Sequence, residues 1–341
     1  MPATEQERTV SVDQVRIGIL GAARIAPTAI MKPAARLPTV AVVAVADRHT
    51  ERADRFAEKY AVPVAHESYD ALLDDPDVDA VYNPLPNALH AQWTLRAIEA
   101  GKHVLCEKPF TANEVEARAV AEAAASAGVV VTEAFHYRYH PLAERIHKIV
   151  RDGSIGTVRS IRTWMCIPWP LFDDEIRYSY ELGGGAMMDT GCYAVHCMRL
   201  LGAGEPKVVS ARALLHAPRI DRAMTAEFSF PDGSTGRIDC SLWSRRFLRI
   251  AAHVTGDRGE LRVANFVRPH VFNQIRWTTQ GRTRWETVRG ETTFDAQLRA
   301  FARAVLYGEP TLTPAEDAVV TMRLIDDVYR TAGLPPRGLA G

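Results

Sequence analysis

VRIGILGAARIAPTAI, residues 15–30, decides how the chain folds. Val15 to Leu20 has the composition of a buried strand, and a glycine and alanines then lead into a helical pattern. A Rossmann fingerprint places glycines in such a turn so that backbone can approach a pyrophosphate lying at the helix N-terminus. Gly21 stands at the first position of G-x-G-x-x-G, whereas Ala23 and Ala26 stand at the second and third. The fingerprint allows alanine at the third position. At the second it implies a slightly more distant pyrophosphate. A tight strand–helix turn without a ligand is the competing reading. The position of the turn, straight after a strand and opening a helix, is the context that the motif requires. Gly21, Ala23, Arg24 and Ile25 are therefore candidate dinucleotide contacts.

Outward from this turn the chain keeps a βαβ rhythm as far as about residue 135. Strands are expected at 40–46, 79–83, 103–106 and 129–135, with a minor one near 62–65. Helical spacing fills 49–60, 87–101 and 111–128, with Asn87 as a cap and Gly101 and Gly128 as stops. Continuous apolar strands separated by helices indicate a parallel sheet covered on both faces. The first domain, residues 14–136, is thus a doubly wound Rossmann domain that binds NAD(P).

The rhythm changes after Tyr137. A helix (141–153) and a strand (157–167) precede a glycine run, LGGGA at 182–186, and a further helix at 187–202. Alternating runs from Val208 to about Val288, broken by the PDG and GDRG turns, then read as a mostly antiparallel sheet with helices on one side. Helical patterns at 294–307 and 315–331 close the chain. Residues 137–335 form the second, α/β domain, assigned to substrate binding and oligomerisation.

Composition narrows the function. A chain of 341 residues with 47% hydrophobic and 24% charged side chains is globular and long enough for two cores. Lys plus Arg (41) equals Asp plus Glu (41), so no net field draws it to nucleic acid or an anionic membrane. The polar N-terminus has no signal-peptide core, and no apolar run approaches the roughly 20 residues of a membrane span. Five cysteines without a CxxC pair read as reduced, mostly buried thiols, so a cytoplasmic location is expected.

Ligands of doubly wound folds lie at the carboxyl edge of the sheet. Asp47, ending the second strand, can accept the adenosine ribose hydroxyls and favours NAD; Arg48 beside it can pair with the 2′-phosphate of NADP. NAD is the expected cofactor, with NADP tolerated. A solvated helix start is the alternative for both residues. NPLPNALH (83–90), carrying Pro84, Leu85, Asn87 and His90, is a stiff loop at the same edge. One strand later, HVLC runs into Glu107, Lys108 and Pro109, so Lys108 faces the nicotinamide end of the cleft.

VRIGILGAARIA, DAVYNPLPNALHAQWTLRAIEAGKHVLCEKPF and GGGAMMDTGCYAVH, in this order, resemble the Gfo/Idh/MocA family over residues 14–335. The resemblance implies an N-terminal Rossmann domain and a C-terminal α/β domain with a large open, mostly antiparallel sheet. It further implies NAD(P)-dependent oxidation or reduction of sugars, polyols and related alcohols. Lys108 matches the lysine of the family's EKP motif, and Asp189 the acid of the helix after the glycine run. Many members carry His four residues after that acid. Tyr193 here is similar to the branch of glucose–fructose oxidoreductase, dihydrodiol dehydrogenases and nucleotide-sugar 3-ketoreductases.

On a helix, positions 189 and 193 share one face. A phenol with a pKa near 10 is a poor base at neutral pH, but a nearby ammonium lowers it. Lys108 would supply that ammonium, Asp189 would orient the pair, and Tyr193 would exchange the substrate's proton. A buried tyrosine bonded to a backbone carbonyl is the alternative. Tyr137, Arg138, Trp169, Arg177 and His196 are candidate contacts to sugar hydroxyls or phosphate. His136 and His140 suggest a metal pair, but Pro141 and the preceding strand argue against a ligand-bearing helix, so no metal is expected. Arg245, Arg246 and Arg249 form a basic cluster read as a solvated strand face or subunit contact, with a nucleotide-sugar phosphate site as the alternative. The chain therefore reads as an NAD(P)-dependent oxidoreductase of a sugar-like or cyclic alcohol, and as a homo-oligomer, dimer or tetramer. A nucleotide-linked ketosugar reductase and a non-catalytic cofactor-bound regulator are the rivals.

Overall fold

A computed structural model describes residues 14–169, 175–243 and 248–338. Arg245 and Arg246 of the basic cluster lie outside the described residues. The first sheet contains β1 (Val15–Leu20), β2 (Val40–Ala46), β3 (Val64–His66), β4 (Ala80–Asn83), β5 (His103–Cys106) and β6 (Val131–Glu133), in the order β3-β2-β1-β4-β5-β6. Every neighbouring pair is parallel. The order reverses between β1 and β4, which opens a crevice at their carboxyl ends.

Local departures from the expected elements have physical causes. β6 stops at Glu133 because its neighbour β5 ends at Cys106, so the ladder has no partner beyond that pair. His136–Tyr139 then turns as a 3₁₀ helix. Asn87 is not the cap of its helix. Pro86 takes that place, and the Asn87 amide instead donates to the carbonyl of Gly183 at 2.9 Å. A short helix, Tyr69–Leu73, escapes the periodicity and is capped by Ser68 Oγ.

The second sheet holds β7 (Val158–Cys166), β8 (Lys207–Ala217), β9 (Ile220–Ser229), β10 (Thr235–Ser241), β11 (Arg249–Gly256), β12 (Gly259–Ala264), β13 (Gln274–Thr279) and β14 (Arg282–Glu286). Its order is β14-β13-β12-β11-β7-β10-β9-β8, antiparallel except where β10 meets β7. β14, RTRWE, carries no apolar alternation and is mostly exposed, so its pattern does not announce a strand. The helix Thr293–Tyr307 does not stay with this sheet. Phe294, Leu298 and Phe301 pack with Ile17, Ile19 and Val45 of the first sheet, so contacts cross the division at residue 136.

The glycine run explains itself at the junction. A Cβ on Gly183 (φ +74°) would meet Asn87 Cβ at 3.0 Å and Ala88 N at 3.1 Å, and one on Gly184 would meet Arg177 O at 2.6 Å. Next to it, Asp221 and Arg337 form a fully buried pair at 2.9 Å. Asp221 also accepts from Tyr329 Oη and from the Met187 N–H, while Arg337 donates to Gly184 O. Burial lifts the Asp221 carboxyl above its ordinary range, and the Arg337 charge offsets part of that cost. This pair anchors Gly184 and Met187, the stretch that leads into Asp189. Arg337→Met is expected to cost about 3–5 kcal/mol, because it strands a buried carboxylate. Urea unfolding should show the midpoint fall with little change in slope.

Candidate active site

Lys108 projects from the end of β5 and donates to Asp189 Oδ1 at 2.9 Å and to the Asp189 carbonyl at 3.0 Å. Asp189 lies in a π turn, Met187–Gly191, which runs into the α-helix Cys192–Leu201. A π turn inserted before a helix is a common device at functional sites. The other carboxylate oxygen of Asp189 accepts from Arg177 Nε at 2.9 Å. Arg177 in turn pairs with Glu175 at 2.8 Å, and Glu175 with Arg24 at 3.1 Å. Five alternating charges therefore run from the Rossmann turn to the lysine.

The charges set the protonation states. Burial alone would lift Asp189, but Lys108 and Arg177 outweigh it and hold the carboxyl at about 2. Burial would lower the Lys108 pKa, yet Asp189 more than compensates and raises it. The lysine is a fixed ammonium and not a titrating base. Tyr193 behaves otherwise than its neighbours suggested. Its ring lies under the ammonium, 5.0 Å from Nζ, and its hydroxyl meets His136 Nε2 at 3.1 Å. Burial, followed by the negative groups around it, pushes the phenol well above its ordinary range. The expected lowering by Lys108 is therefore corrected for the ligand-free cleft, because desolvation outweighs the ammonium.

These groups line one cleft of about 480 Å³ at the carboxyl edge of the first sheet. Ala23, Arg24, Ile25, Pro84 and Leu85 line it together with Lys108, His136, Asp189 and Tyr193 and with Met165, Trp169, Ile176 and Leu182. Gly21 turns at φ +93°, where a Cβ would press on Leu85 at 3.1 Å. The glycine keeps the turn open to close approach, as a pyrophosphate requires. Asp47 is buried, and its two oxygens accept the N–H groups of Ala22 (2.9 Å) and His49 (3.0 Å). Arg48 is exposed. Asn87, Glu107 and His90 also border the cleft. Glu107 accepts from Tyr82 Oη at 2.8 Å, and the His90 nitrogens face the carbonyls of Leu85 (2.7 Å) and Pro109 (2.9 Å). Burial holds the His90 pKa at about 4, so the neutral ring donates to one of these carbonyls while its other nitrogen faces the second.

Of the expected sugar contacts, Trp169 and Arg177 border the cleft, with the guanidinium 4.1 Å from the Trp169 ring. Tyr137 and His196 do not line it. They are buried and bonded to each other at 2.6 Å, and the His196 ring also stacks on Phe135. Their polarity serves the core. Arg138 also lies outside the lining. His140 caps the helix Pro141–Arg151 by accepting from Leu142 N–H, and Arg249 lies 3.7 Å from the Trp164 ring centre. Among the described residues, no group of three or more His, Cys, Asp or Glu is placed to hold a metal ion. His136, weighed from the sequence only as half of a metal pair with His140, lines the cleft instead and meets the Tyr193 hydroxyl. Its only signal is position, three residues past the end of β6 at the carboxyl edge.

Residues 15–135 match the model of an oxidoreductase family with an NAD-binding Rossmann fold, GFO/IDH/MocA, and residues 143–262 match the C-terminal domain of that family. The chain is 36% identical to D-xylose 1-dehydrogenase (NADP(+)) 2 of Haloferax volcanii, over 92% of this chain and 96% of that protein. It is 32% identical to the dTDP-3,4-didehydro-2,6-dideoxy-alpha-D-glucose 3-reductase of Actinomadura kijaniata, over 94% and 97%. KijD10, a 3-ketoreductase from Actinomadura kijaniata solved with NADP and TDP-benzene, superposes with a TM-score of 0.86 at 31% identity, over 93% of this chain and 97% of that one. No helix among the described residues is long and apolar enough to cross a membrane.

The depressed Asp189 carboxyl makes a pH prediction. A carboxyl at about 2 in the folded chain, against 3.8 unfolded, contributes about 2 kcal/mol of stability above the unfolded value. That contribution is lost as pH falls through about 2. Asp189→Asn should be less stable than wild type at neutral pH, and the gap should narrow in acid. Urea midpoints of both chains from neutral pH down to the acid limit measure this.

Proposed function

The chain belongs to the GFO/IDH/MocA oxidoreductase family, and we propose that it oxidises a carbinol of a free sugar, or reduces the matching carbonyl, with Lys108 and Tyr193 at the reacting centre. One observation carries this reading: the Lys108 ammonium, fixed by Asp189, shares a cleft with the Tyr193 hydroxyl at the edge where the dinucleotide turn opens. A bound nicotinamide dinucleotide supplies the two-electron chemistry. Gly21, Ala23, Arg24, Ile25, Pro84 and Leu85 are the residues that would hold it. Lys108 keeps a positive charge where the substrate oxygen becomes negative, and Tyr193 exchanges the proton with that oxygen. Asp189 positions the ammonium, and the apolar walls exclude water from it.

The free-sugar class draws support from the similarity to the Haloferax volcanii xylose dehydrogenase. The likeness to KijD10 supports the second reading, a nucleotide-linked ketosugar. A non-catalytic regulator has no need of Lys108, Asp189 and Tyr193 in one cleft. The open face of the second sheet exposes Val209, Leu214 and Leu215 of β8, which suits the proposed homo-oligomer; light scattering on the purified chain tests that state.

A screen of pentoses, hexoses, inositols and dTDP-sugars with both dinucleotides tests the substrate. Turnover with dTDP-sugars alone would move the assignment to the second reading. Lys108→Met and Tyr193→Phe should each lower turnover by ~10² or more while dinucleotide affinity holds; melting temperature should hold in Tyr193→Phe and fall in Lys108→Met, which leaves Asp189 without one of its cations. Near-normal rates in both would remove the mechanism. Because Asp47 is held by backbone donors, its charge is directed into the turn, and exposed Arg48 can meet a 2′-phosphate. Both dinucleotides are therefore expected to bind, and Arg48→Ala should weaken NADPH about tenfold while sparing NADH. Fluorescence titration of the two reduced dinucleotides decides this.

A further inference from the structure

The Tyr193 hydroxyl is one end of a longer line of hydrogen bonds. It meets His136 Nε2 at 3.1 Å, His136 Nδ1 meets Thr293 Oγ1 at 2.9 Å, and Thr293 Oγ1 meets His270 Nδ1 at 3.4 Å. Tyr193, His136 and Thr293 are buried, whereas His270 is half-buried. The line therefore leads from the cleft to a ring that solvent reaches.

Its direction follows from one main-chain group. The Thr293 N–H also points at His270 Nδ1, at 3.4 Å. A backbone N–H only donates, so His270 Nδ1 carries no hydrogen and Nε2 carries the ring's proton. The single hydroxyl hydrogen of Thr293 then goes to His270, and Thr293 Oγ1 accepts from His136 Nδ1–H. His136 Nε2 is left as an acceptor, and Tyr193 O–H donates to it. All four groups point the same way, outward from the cleft.

We propose that Tyr193, His136, Thr293 and His270 form a proton relay that carries the substrate's hydroxyl proton out of the cleft in oxidation and returns one in reduction. The proposal rests on the reading of Tyr193 as the proton-exchanging group. In oxidation the substrate O–H bond breaks and a new Tyr193 O–H bond forms, while the tyrosine's own hydrogen passes to His136 Nε2. His136 gives its Nδ1 hydrogen to Thr293, Thr293 gives its hydroxyl hydrogen to His270 Nδ1, and His270 releases its Nε2 hydrogen to water. The carbinol's C–H hydrogen and two electrons go to the oxidised dinucleotide of the proposed reaction, so one proton leaves per turnover. Hydroxyl rotation and tautomer exchange reset the line.

The electrostatics fit this role. A phenol pushed above its ordinary range offers no standing phenolate, so it works by passing its own proton onward as it accepts another. Burial, with Lys108, His270 and Arg268 nearby, holds His136 down at about 3, so its ring is neutral and Nε2 can accept. His270 is lowered by burial and Arg268, against the pull of Asp295, and it faces His140, which has Glu291 nearby. Protonation of His270 fills Nδ1 and breaks the line, so oxidation should fall on the acid side as that ring titrates.

Three variants cut the line at different points. Thr293→Val removes only the hydroxyl, His136→Phe keeps a ring against Phe294, and His270→Asn removes the outer end. With the fastest sugar of the screen, each should lower kcat about tenfold or more at unchanged dinucleotide affinity and enlarge the solvent deuterium isotope effect. His270→Asn should regain rate with added imidazole and lose the acid limb. In the ligand-free chain, nitrogen-15 NMR of labelled histidines should place hydrogen on Nδ1 of His136 and on Nε2 of His270. Thr293→Val with wild-type kcat, isotope effect and acid limb would overturn the relay, as would the opposite tautomers. A lower kcat without an isotope-effect change or imidazole response would also overturn it, leaving these residues as packing. A wild-type chain inert toward every sugar with both dinucleotides would instead fail the reading of Tyr193, and the relay's catalytic role would fall with it.

Discussion

One carboxylate, Asp189, holds two cations that come from distant parts of the chain. Lys108 reaches it from the end of a parallel strand, and Arg177 reaches it from the segment before the glycine run. Neither cation would be stable in a cleft this buried without it, since an unpaired charge there costs several kcal/mol. The pair also makes the lysine a permanent charge. A lysine in an apolar cleft ordinarily loses its proton more readily, and here the acid reverses that tendency. The two halves of the chain are thus joined by the same contact that prepares the chemistry.

The architecture behind Asp189 serves to keep it in place. Asp221, buried with Arg337, accepts the Met187 N–H at the head of the π turn. Gly183 lets the glycine run lie against the helix that starts at Asn87, and Gly184 lets it lie against the carbonyls of Arg177 and Ser179. Without a Cβ at these positions, the glycine run packs closely on the main chain of Ala88, Arg177 and Ser179. In a cleft this buried, fixed charges act more strongly than they would in solvent.

The same burial changes what Tyr193 can be. Its hydroxyl is too desolvated to stand as a phenolate, so an adjacent acceptor matters more than an adjacent ammonium. His136 is that acceptor, and its place is set by a 3₁₀ turn that exists because β6 runs out of partner at Glu133. Site chemistry and sheet geometry meet in that single turn.

Much of this was legible in the residues. Period-two runs and helical spacing mark the βαβ rhythm, the antiparallel strands and the two closing helices, because each reports a local repeat of side chains facing a core. Gly21 was legible too, since its turn confines the choice of residue, whereas Lys108 was marked by its place at a strand end and by a family motif, and Asp189 by that resemblance alone. What the sequence could not decide is how separate segments meet in space. Tyr137 and His196 look like sugar contacts, yet they bond to each other in the core, and both His90 nitrogens face main-chain carbonyls. The Thr293–Tyr307 helix leaves its own half to cover the first sheet, which brings Thr293 beside His136 across 157 positions of chain. The direction of the Tyr193 pKa belongs to the tertiary structure alone. It is set by how completely water is removed, and removal of water is a property of packing that no local pattern encodes.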